Sequence, residues 1–518
     1  MNKVSFVQLS PSDNVVVAIS ELAPGHILEV GGESVATVNR IPAGHKVAVR
    51  AIKQGEAVYK FGSQIGSATA DVAAGEHVHS HNLQHKHDVI TDVPSTDPPA
   101  APAKLERTFE GYVRPSGRVG TRNYIAVIST VNCSASVSQF VARRFEGDAL
   151  EDYPNVDGVF AVTHETGCGM GYATLRHEML SRVLVGAARH PNVAACVLIG
   201  LGCEQGSMGY LFEKHGIVPL HAPDGEKLTR DKGDAIPVLT MQDEGGTRKT
   251  IERAVQIVKD LLPVVNANRR ETVSASELSV GLECGGSDGY SGITANPAVG
   301  CAADRIVASG GTAMLAETSE IYGAEHLLVQ RSRSPEVALA LIERIEWWKE
   351  YVGMFGLELD NNPSVGNKAG GLTTIAEKSL GAVAKAGSTA LESVYQYAEQ
   401  VHQKGLVVMD TPGFDPASVT GMVAGGANMI LFTTGRGSCF GCKPTPSIKI
   451  ATNTAMYDRM IEDMDLNAGT VVEGSTVDQV GEEIYNKILA VASGEKTKSE
   501  LAGIGDYEFI PWTVGPTL

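Results

Sequence analysis

The spacing of apolar residues changes twice along the chain, and the changes mark off three kinds of structure. From Val4 to about Val89 the apolar runs are short and rich in β-branched residues: Val15 to Ile19, His26 to Val30, Lys46 to Ala51 and Ala57 to Phe61. Gly and Pro turns separate them at intervals of about ten residues, a rhythm that predicts a small all-β module. Asp92 to Lys104 follows, with four prolines and otherwise no apolar side chain larger than valine; it reads as an extended, semi-rigid linker. Beyond it, strand-length apolar runs end at Gly or Cys and alternate with helical periodicity. Tyr124 to Ser129 leads into Ser134 to Phe145, and the helical Ala173 to Ala188 precedes Cys196 to Gly200. Such alternation predicts βαβ units around a mainly parallel sheet. A break is expected near Asn266 to Ser276, after the helical stretch Thr250 to Leu262. A second α/β series then runs through Leu278 to Leu282, Gly311 to Glu317, the double-Trp helix Glu336 to Met354, Gly405 to Met409, Met429 to Thr434 and Asp478 to Ala492. The expected divisions are a β module over 1–90, a linker over 91–106, and α/β domains over 107–270 and 271–518.

The 518 residues suit about three domains at roughly 100–200 residues each. A formal charge of −17 repels a polyphosphate backbone and argues against nucleic acid as a partner. The longest apolar run, Val193 to Leu201, falls well short of the ~18 residues of a membrane span, so no membrane partner is expected. The N-terminus lacks the continuous apolar core of a secretory signal, and a cytoplasmic location follows as an expectation. There the eight cysteines would be free, catalytic or metal-bound rather than paired.

Four of those cysteines share one context. Cys133 follows the run Ile125 to Thr130, Cys168 follows Val159 to Val162 with His164 between, Cys203 follows Val197 to Gly202, and Cys284 ends Ser279 to Glu283. Ligands of open α/β sheets bind outside the carboxyl ends of the strands, so the thiols point to a site there; the alternative is four small, buried, apolar residues. The 57 glycines, about 11 % of the chain against a usual ~7 %, accompany them, and turns such as Gly285-Gly286 could leave backbone N–H groups free for an anion. Cys196 and Cys301 fall inside apolar patterns and read as core. Cys439 and Cys442 form a C-x-x-C without the second pair that a structural zinc wants. His77, His79 and His81 alternate, so on a strand their imidazoles would line one face, as metal ligands or as a polar tail. Arg436, in a Gly-rich turn after an apolar strand, suits a carboxylate; the Asn362 to Lys368 loop is too generic to interpret alone. No nucleotide-binding glycine motif opens a helix, so no nucleotide cofactor is expected.

Taken together, these segments resemble the altronate/galactarate dehydratase family, the iron-dependent sugar-acid dehydratases of hexuronate and hexarate breakdown. The resemblance rests on Asp13-Asn14-Val15, Gly44-His45-Lys46 and Gly75-Glu76-His77-Val78-His79, then on Gly120-Thr121-Arg122-Asn123, Thr130-Val131-Asn132-Cys133, His164 with Gly167-Cys168, and Ile199 to Glu204. It continues through Glu283 to Asp288, Ser291 to Pro297, Asn362-Pro363-Ser364 with Gly366-Asn367-Lys368, Phe432 to Gly437, and Lys449 to Asn453. It implies an α/β fold class in which a small all-β, SAF-type β-clip module precedes two α/β domains with mainly parallel sheets. In the sulfolactate sulfo-lyase relatives that module is a separate chain. The His-Val-His segment and Leu282 to Gly289 look more like the altronate branch. Gly435 to Cys442 departs from the family's usual Gly-Arg-Gly-Thr-Pro loop, so altronate and galactarate both remain as substrates.

The implied reaction is β-elimination of water from a 2,3-dihydroxy acid to a 2-keto-3-deoxy acid. The implied cofactor is Fe(II), with Mn(II) as a substitute and a labile iron–sulfur cluster left open, on Cys133, Cys203 and Cys284. His45, His77, His79 and His164 would supply acid and base. Arg436, Lys368, Gly285, Gly286, Ser287, Asp288 and Asn296 would bind the small anionic substrate. A non-catalytic sugar-acid or metal-binding protein on the same scaffold is the alternative of another class. The oligomeric state is left open, a symmetric homodimer being common for an enzyme of this size.

Overall fold

A computed structural model of the protein describes residues 5–85, 95–205, 208–215, 218–220 and 235–513. The end of the expected β module and the start of the expected linker, residues 86–94, lie outside the described residues.

Alternation along single strands shows how each sheet finds its cores. In Val15–Ala18 successive side chains point to opposite faces. Val16 and Ala18 pack with Leu22, Leu28, Ile41 and Val47 in a small core of the β module itself. Val15 points the other way and joins Ala48, Ile52, Val58 and Ile65 in a core shared with Ala298 and Leu380 of the C-terminal region. The module is therefore docked through a buried face. Its strands form a four-stranded antiparallel sheet (Phe6–Val7, Val15–Ala18, Lys46–Ala48, His77–Val78), a three-stranded one (Ala57–Lys60, Ser63–Ala68, Leu83–Gln84) and a hairpin (Ile27–Val30, Glu33–Ala36). Residues 95–107 have no regular structure, and the N–H groups of Asp97 and Leu105 bond to Gln330 O and Ala308 O. The linker is thus laid along the C-terminal region.

The middle region is a five-stranded parallel sheet in the order Gly158–Val162, Tyr124–Ser129, Val193–Gly200, Ala235–Thr240, Val218–Leu220. Ile125 and Val127 face a core with Val137, Val141 and Val258, from helices Asn132–Ala142 and Thr247–Asn266. Ala126 and Ile128 face Leu180, Val183 and Leu184 of helix Leu175–Ala188. Both faces are covered, as a parallel sheet requires. The segment Asn266 to Ser276, where a break is expected, contains the strand Glu271–Ser274, which pairs antiparallel with Thr108–Val113. It is polar and mostly exposed, so no hydrophobic alternation announces it.

The C-terminal region is a seven-stranded, wholly parallel sheet in the order Leu391–Tyr395, Gly405–Met409, Thr312–Leu315, Ser279–Cys284, Met429–Thr434, Ser447–Ala451, Leu466–Asn467. Ser279–Cys284 is its central strand, which places the carboxyl end at Cys284 amid loops from both sides. Among the described residues no helix is long and apolar enough to cross a membrane.

Candidate active site

Three buried charges fix the β module over the carboxyl edge of the seven-stranded sheet. Lys46 Nζ donates to both oxygens of Glu377 at 3.0 and 2.8 Å and to Gly371 O at 2.8 Å. Lys60 Nζ donates to Glu377 Oε1 at 2.8 Å. Burial pushes the Lys46 ammonium down to about 8 against the pull of Glu377. Burial would raise the Glu377 carboxyl, but the two lysines outweigh it and hold it far below the usual carboxylate range. Beside this triad the two backbones touch: a Cβ on Gly289 would lie 2.0 Å from Gly44 O, so only glycine fits.

Docking brings three imidazoles together. The rings of His45 and His79 stack at 4.9 Å between centroids, and His77 lies 5.2 Å from His45 and 5.5 Å from His79. His81 lies 5.5 Å from His77 on an exposed turn. The hydrogen bonds select the tautomers. His79 Nε2 donates to Lys368 O at 2.9 Å, and His45 Nε2 faces Ala369 O at 3.4 Å. His45 Nδ1 is then an acceptor and takes the Nε2–H of His77 at 3.0 Å. The basic nitrogen of His77 is therefore Nδ1. Burial, then the neighbouring imidazoles, push His45 down to about 4 and His77 to about 3, so both are neutral at pH 7.

A nest of carboxylates surrounds the end of the central strand. Cys284 N–H donates to Glu317 Oε2 at 3.0 Å, and its thiol lies 3.4 Å from the same oxygen and 4.0 Å from Glu320 Oε2. Glu317, just past strand Thr312–Leu315, sits in the left-handed region at φ 63°. Lys385 pairs with Glu317, while Lys378 Nζ and Asn362 Nδ2 donate to Glu320 Oε1 at 2.5 and 2.8 Å. Ser418 donates to Glu283 Oε2 at 2.7 Å, but the buried Glu283 Oε1 has no partner. Asp415 opens helix Asp415–Gly425, and a Cβ on Gly285 would lie 2.2 Å from its Oδ2; glycine there makes room for the carboxylate. Burial, then Glu317 and Glu320, push Asp415 up to about 7. Burial also pushes the Cys284 thiol well above its ordinary value.

Among the described residues four acids, Glu283, Glu317, Glu320 and Asp415, thus meet two lysines, Lys378 and Lys385. Donor atoms of Cys284, Glu317 and Glu320 lie within 4.8 Å of one another, as do those of Glu283, Glu317 and Asp415. A thiol with carboxylate oxygens suits a divalent transition metal, and the orphaned Glu283 oxygen and the excess negative charge fit one. Residues 362–378 join nest and imidazoles: Asn362 and Lys378 hold Glu320, the carbonyls of Lys368 and Ala369 hold His79 and His45, and Glu377 holds Lys46.

Comparison with known proteins is decisive at this point. Residues 4–86 match the altronate/galactarate dehydratase SAF domain, 111–266 the D-galactarate dehydratase/altronate hydrolase second domain, and 275–517 the D-galactarate/altronate dehydratase C-terminal domain. The chain is 34 % identical over 504 residues to altronate dehydratase of Bacillus subtilis, covering 96 % of each chain. It is 34 % identical over 504 residues to the Escherichia coli altronate dehydratase, covering 96 % of this chain and 97 % of that one. Galactarate dehydratase (L-threo-forming) of Escherichia coli is 36 % identical over 510 residues, 95 % of this chain and 93 % of the relative. The chain belongs to the altronate/galactarate dehydratase family.

In this dehydratase-family chain the expected site residues fall into separate places. His45, His77 and His79 meet as described. The thiols expected to share a metal do not: Cys284 stands in the carboxylate nest, whereas Cys133 and Cys203 are exposed at the edge of the five-stranded sheet. Among the described residues no group of donor atoms within 4.8 Å holds more than one cysteine. The separation arises because sequence shows that each thiol ends a strand but not which sheet the strand joins. His164 belongs to the middle region instead; its Nε2 bonds Ser129 O, the end of the neighbouring strand, at 3.1 Å and its Nδ1 accepts from Thr166 N–H at 3.2 Å, so one ring nitrogen ties its loop to that strand and the other holds the loop itself.

Several expected substrate ligands are likewise committed to the protein. Asp288 accepts from the N–H groups of Tyr290 and Ser291 and from Thr452 Oγ1 and Asn453 Nδ2. Asn296 donates to Gly381 O and accepts from Thr433 Oγ1. The Gly285 N–H bonds Thr433 O, and the Gly286 carbonyl takes the N–H groups of Gly435 and Arg436. Ser287 is buried, its carbonyl held by Asn367 Nδ2. These bonds build the loop, and Ser287, Asp288 and Asn296 also line a small cavity with Lys60, Glu377 and Lys378. Arg436 is exposed and Lys368 half-buried, which leaves them as the cations at the rim. Sequence reasoning missed Glu317, Glu320, Asp415, Lys378 and Lys385. The first and third follow strands Thr312–Leu315 and Gly405–Met409 closely, so the strand-end argument used for cysteine would have found them had it been applied to acids.

Proposed function

We propose that the protein is a divalent-metal-dependent sugar-acid dehydratase that converts D-altronate to 2-dehydro-3-deoxy-D-gluconate and water. The observation that carries this is the joining, through residues 362–378, of a neutral, oriented imidazole pair to a buried nest whose Asp415 carboxyl titrates near neutrality. His77 Nδ1 takes the C2 proton, and His45 holds the tautomer that leaves that nitrogen unprotonated. Asp415, partly protonated at pH 7, gives its proton to the departing C3 hydroxyl, which leaves as water; the enol then tautomerises to the 2-keto acid. Arg436 and Lys368 attract the substrate carboxylate at the rim. Fe(II), for which Mn(II) would substitute, would be held by Cys284, Glu317 and Glu320, and when bound it supplies Lewis-acid stabilisation of the negative charge that develops on the carboxylate side. Lys378 and Lys385 hold the nest's carboxylates in place by pairing with them.

Galactarate is the second substrate reading, favoured by the 36 % identity to a galactarate dehydratase. The test is anaerobic purification with Fe(II) followed by incubation with altronate, galactarate and related hexonates. Altronate is expected to give a 2-keto-3-deoxy acid fastest. Faster turnover of galactarate would transfer the assignment, and consumption of no sugar acid by iron-loaded protein would overturn the dehydratase reading.

A further inference from the structure

A second group of thiols stands apart from the proposed active site. In the five-stranded sheet the strands Gly158–Val162, Tyr124–Ser129 and Val193–Gly200 are neighbours, with Tyr124–Ser129 in the middle. Each is followed at its carboxyl end by a cysteine: Cys168, Cys133 and Cys203 respectively. The chain runs from the middle strand to one side and then crosses to the other, so this edge is a topological switch point, the place where open α/β sheets hold ligands.

The three cysteine-bearing loops are locked onto one turn, residues 130–132. The Asn132 N–H donates to Thr166 O at 2.8 Å, and a Cβ on Gly167 would lie 2.6 Å from Thr130 O; Cys133 and Cys168 are the next residues along. Thr130 Oγ1 donates to Glu204 Oε1 at 2.9 Å, and the Gly202 N–H donates to Glu204 Oε2 at 2.7 Å; Cys203 lies between those two. Glu204 and His164 are therefore spent on holding the loops; of the thiols, Cys203 Sγ takes one long contact, from Gln242 Nε2 at 3.7 Å. Cys133 also occupies the first turn of helix Asn132–Ala142, whose N-terminus has no side-chain cap.

Packing does not account for these cysteines. Free cysteine is among the most buried residue types, yet Cys133, Cys168 and Cys203 are all exposed and make up three of the four exposed cysteines in the chain. Nor do they suit one ion, since thiolates around a tetrahedral metal with bonds of about 2.3 Å stand only about 3.8 Å apart, and these sulfurs form no group within 4.8 Å. A larger thiophilic core spans three loops with wider spacing.

We propose that Cys133, Cys168 and Cys203 hold an iron–sulfur cluster of the [4Fe–4S] type through three thiolates, with its fourth iron open to a small oxygen ligand. The proposal does not rest on the active-site reading above, and either can fail alone. Its test is anaerobic preparation, reconstitution with iron and sulfide, and measurement of iron, acid-labile sulfide, cluster absorption and EPR, with far-UV circular dichroism as a folding control. Wild-type protein is expected to carry about four sulfides per chain. Cys133→Ser, Cys168→Ser and Cys203→Ser should each lose sulfide and absorption while keeping wild-type helicity, and Cys439→Ser, an exposed cysteine elsewhere, should keep both. In the wild type the three thiols should resist alkylation until the cluster is stripped oxidatively. Protein without acid-labile sulfide, zinc in place of iron, sulfide retained in the three variants, or thiols alkylated at the same rate before and after stripping would each overturn the proposal.

Discussion

Replacing Glu377 by Gln removes the one carboxylate that pairs with both Lys46 and Lys60, whose side chains are 0 % and 1 % exposed. Glu377 accepts five hydrogen bonds, three from the two ammonium groups and two from Thr373. Glutamine keeps the shape and can still accept from Thr373, so the main loss is the charge. Removing one partner of a buried ion pair costs about 3–5 kcal/mol, because the remaining charge stays desolvated. At about 2 °C per kcal/mol for a unit of this size, the melting temperature should fall by about 6–10 °C. The sign of the pH dependence is a stricter check. Lys46 already titrates near 8 in the folded protein, and without Glu377 burial acts unopposed and lowers it further. The folded variant then binds fewer protons than the unfolded chain below the ordinary lysine pKa of about 10.4, so its stability climbs as pH rises. Thermal unfolding of both proteins at pH 7 and pH 9, with limited proteolysis of residues 95–107 to report undocking, measures this. A variant as stable as the wild type, or a deficit equal at both pH values, would refute the claim that this triad docks the β module.

Asp415 acts in its protonated form, so kcat should decline as pH rises through about 7, the value to which burial lifts it; Asp415→Asn should abolish that limb and cost roughly 10²–10⁴ in kcat, as read from pH–rate profiles. His45 is 7 % exposed and titrates near 4 when folded against 6.5 ordinarily. Its contribution is present above pH 6.5 and lost on acidification toward pH 4, about 3 kcal/mol in all, so His45→Asn should flatten the acid side of a stability–pH curve from chemical denaturation. Cys284→Ala and Glu317→Gln should each lower the affinity for sulfide-independent Fe(II) at least tenfold, roughly the loss that accompanies removal of a group supporting a metal, whereas Arg436→Gln should keep its metal and raise KM; Fe(II) titration beside steady-state kinetics separates the two.

Legibility followed the physics of each element. The strands Tyr124–Ser129, Gly405–Met409 and Met429–Thr434 coincide with apolar runs because a parallel sheet buried on both faces needs nearly continuous hydrophobic strands. Glu271–Ser274 is mostly exposed, with Val273 its one apolar residue, half-buried, so it is too short of apolar positions to show a pattern. In the site, His45, His77 and His79 were legible as chemistry, but their meeting depends on the docking of the module, and the lysines that dock it, Lys46 and Lys60, each lie more than 300 positions from their partner Glu377. Cysteine at strand ends was visible one strand at a time. That Cys284 faces carboxylates, while Cys133 and Cys203 stand on another sheet, follows from strand order, which is set by tertiary packing and not by local sequence.

The central claim is that an imidazole of the β module and the carboxylate nest of the C-terminal sheet act on one substrate. It is tested most directly by measuring altronate turnover and bound iron in the same samples of wild type, His77→Gln and Cys284→Ala. The account predicts that wild type forms the 2-keto-3-deoxy acid, that His77→Gln keeps its iron but loses roughly 10²-fold or more in kcat, and that Cys284→Ala loses turnover together with the iron bound in excess of acid-labile sulfide. Full turnover by His77→Gln, or full iron and full turnover in Cys284→Ala, would contradict it.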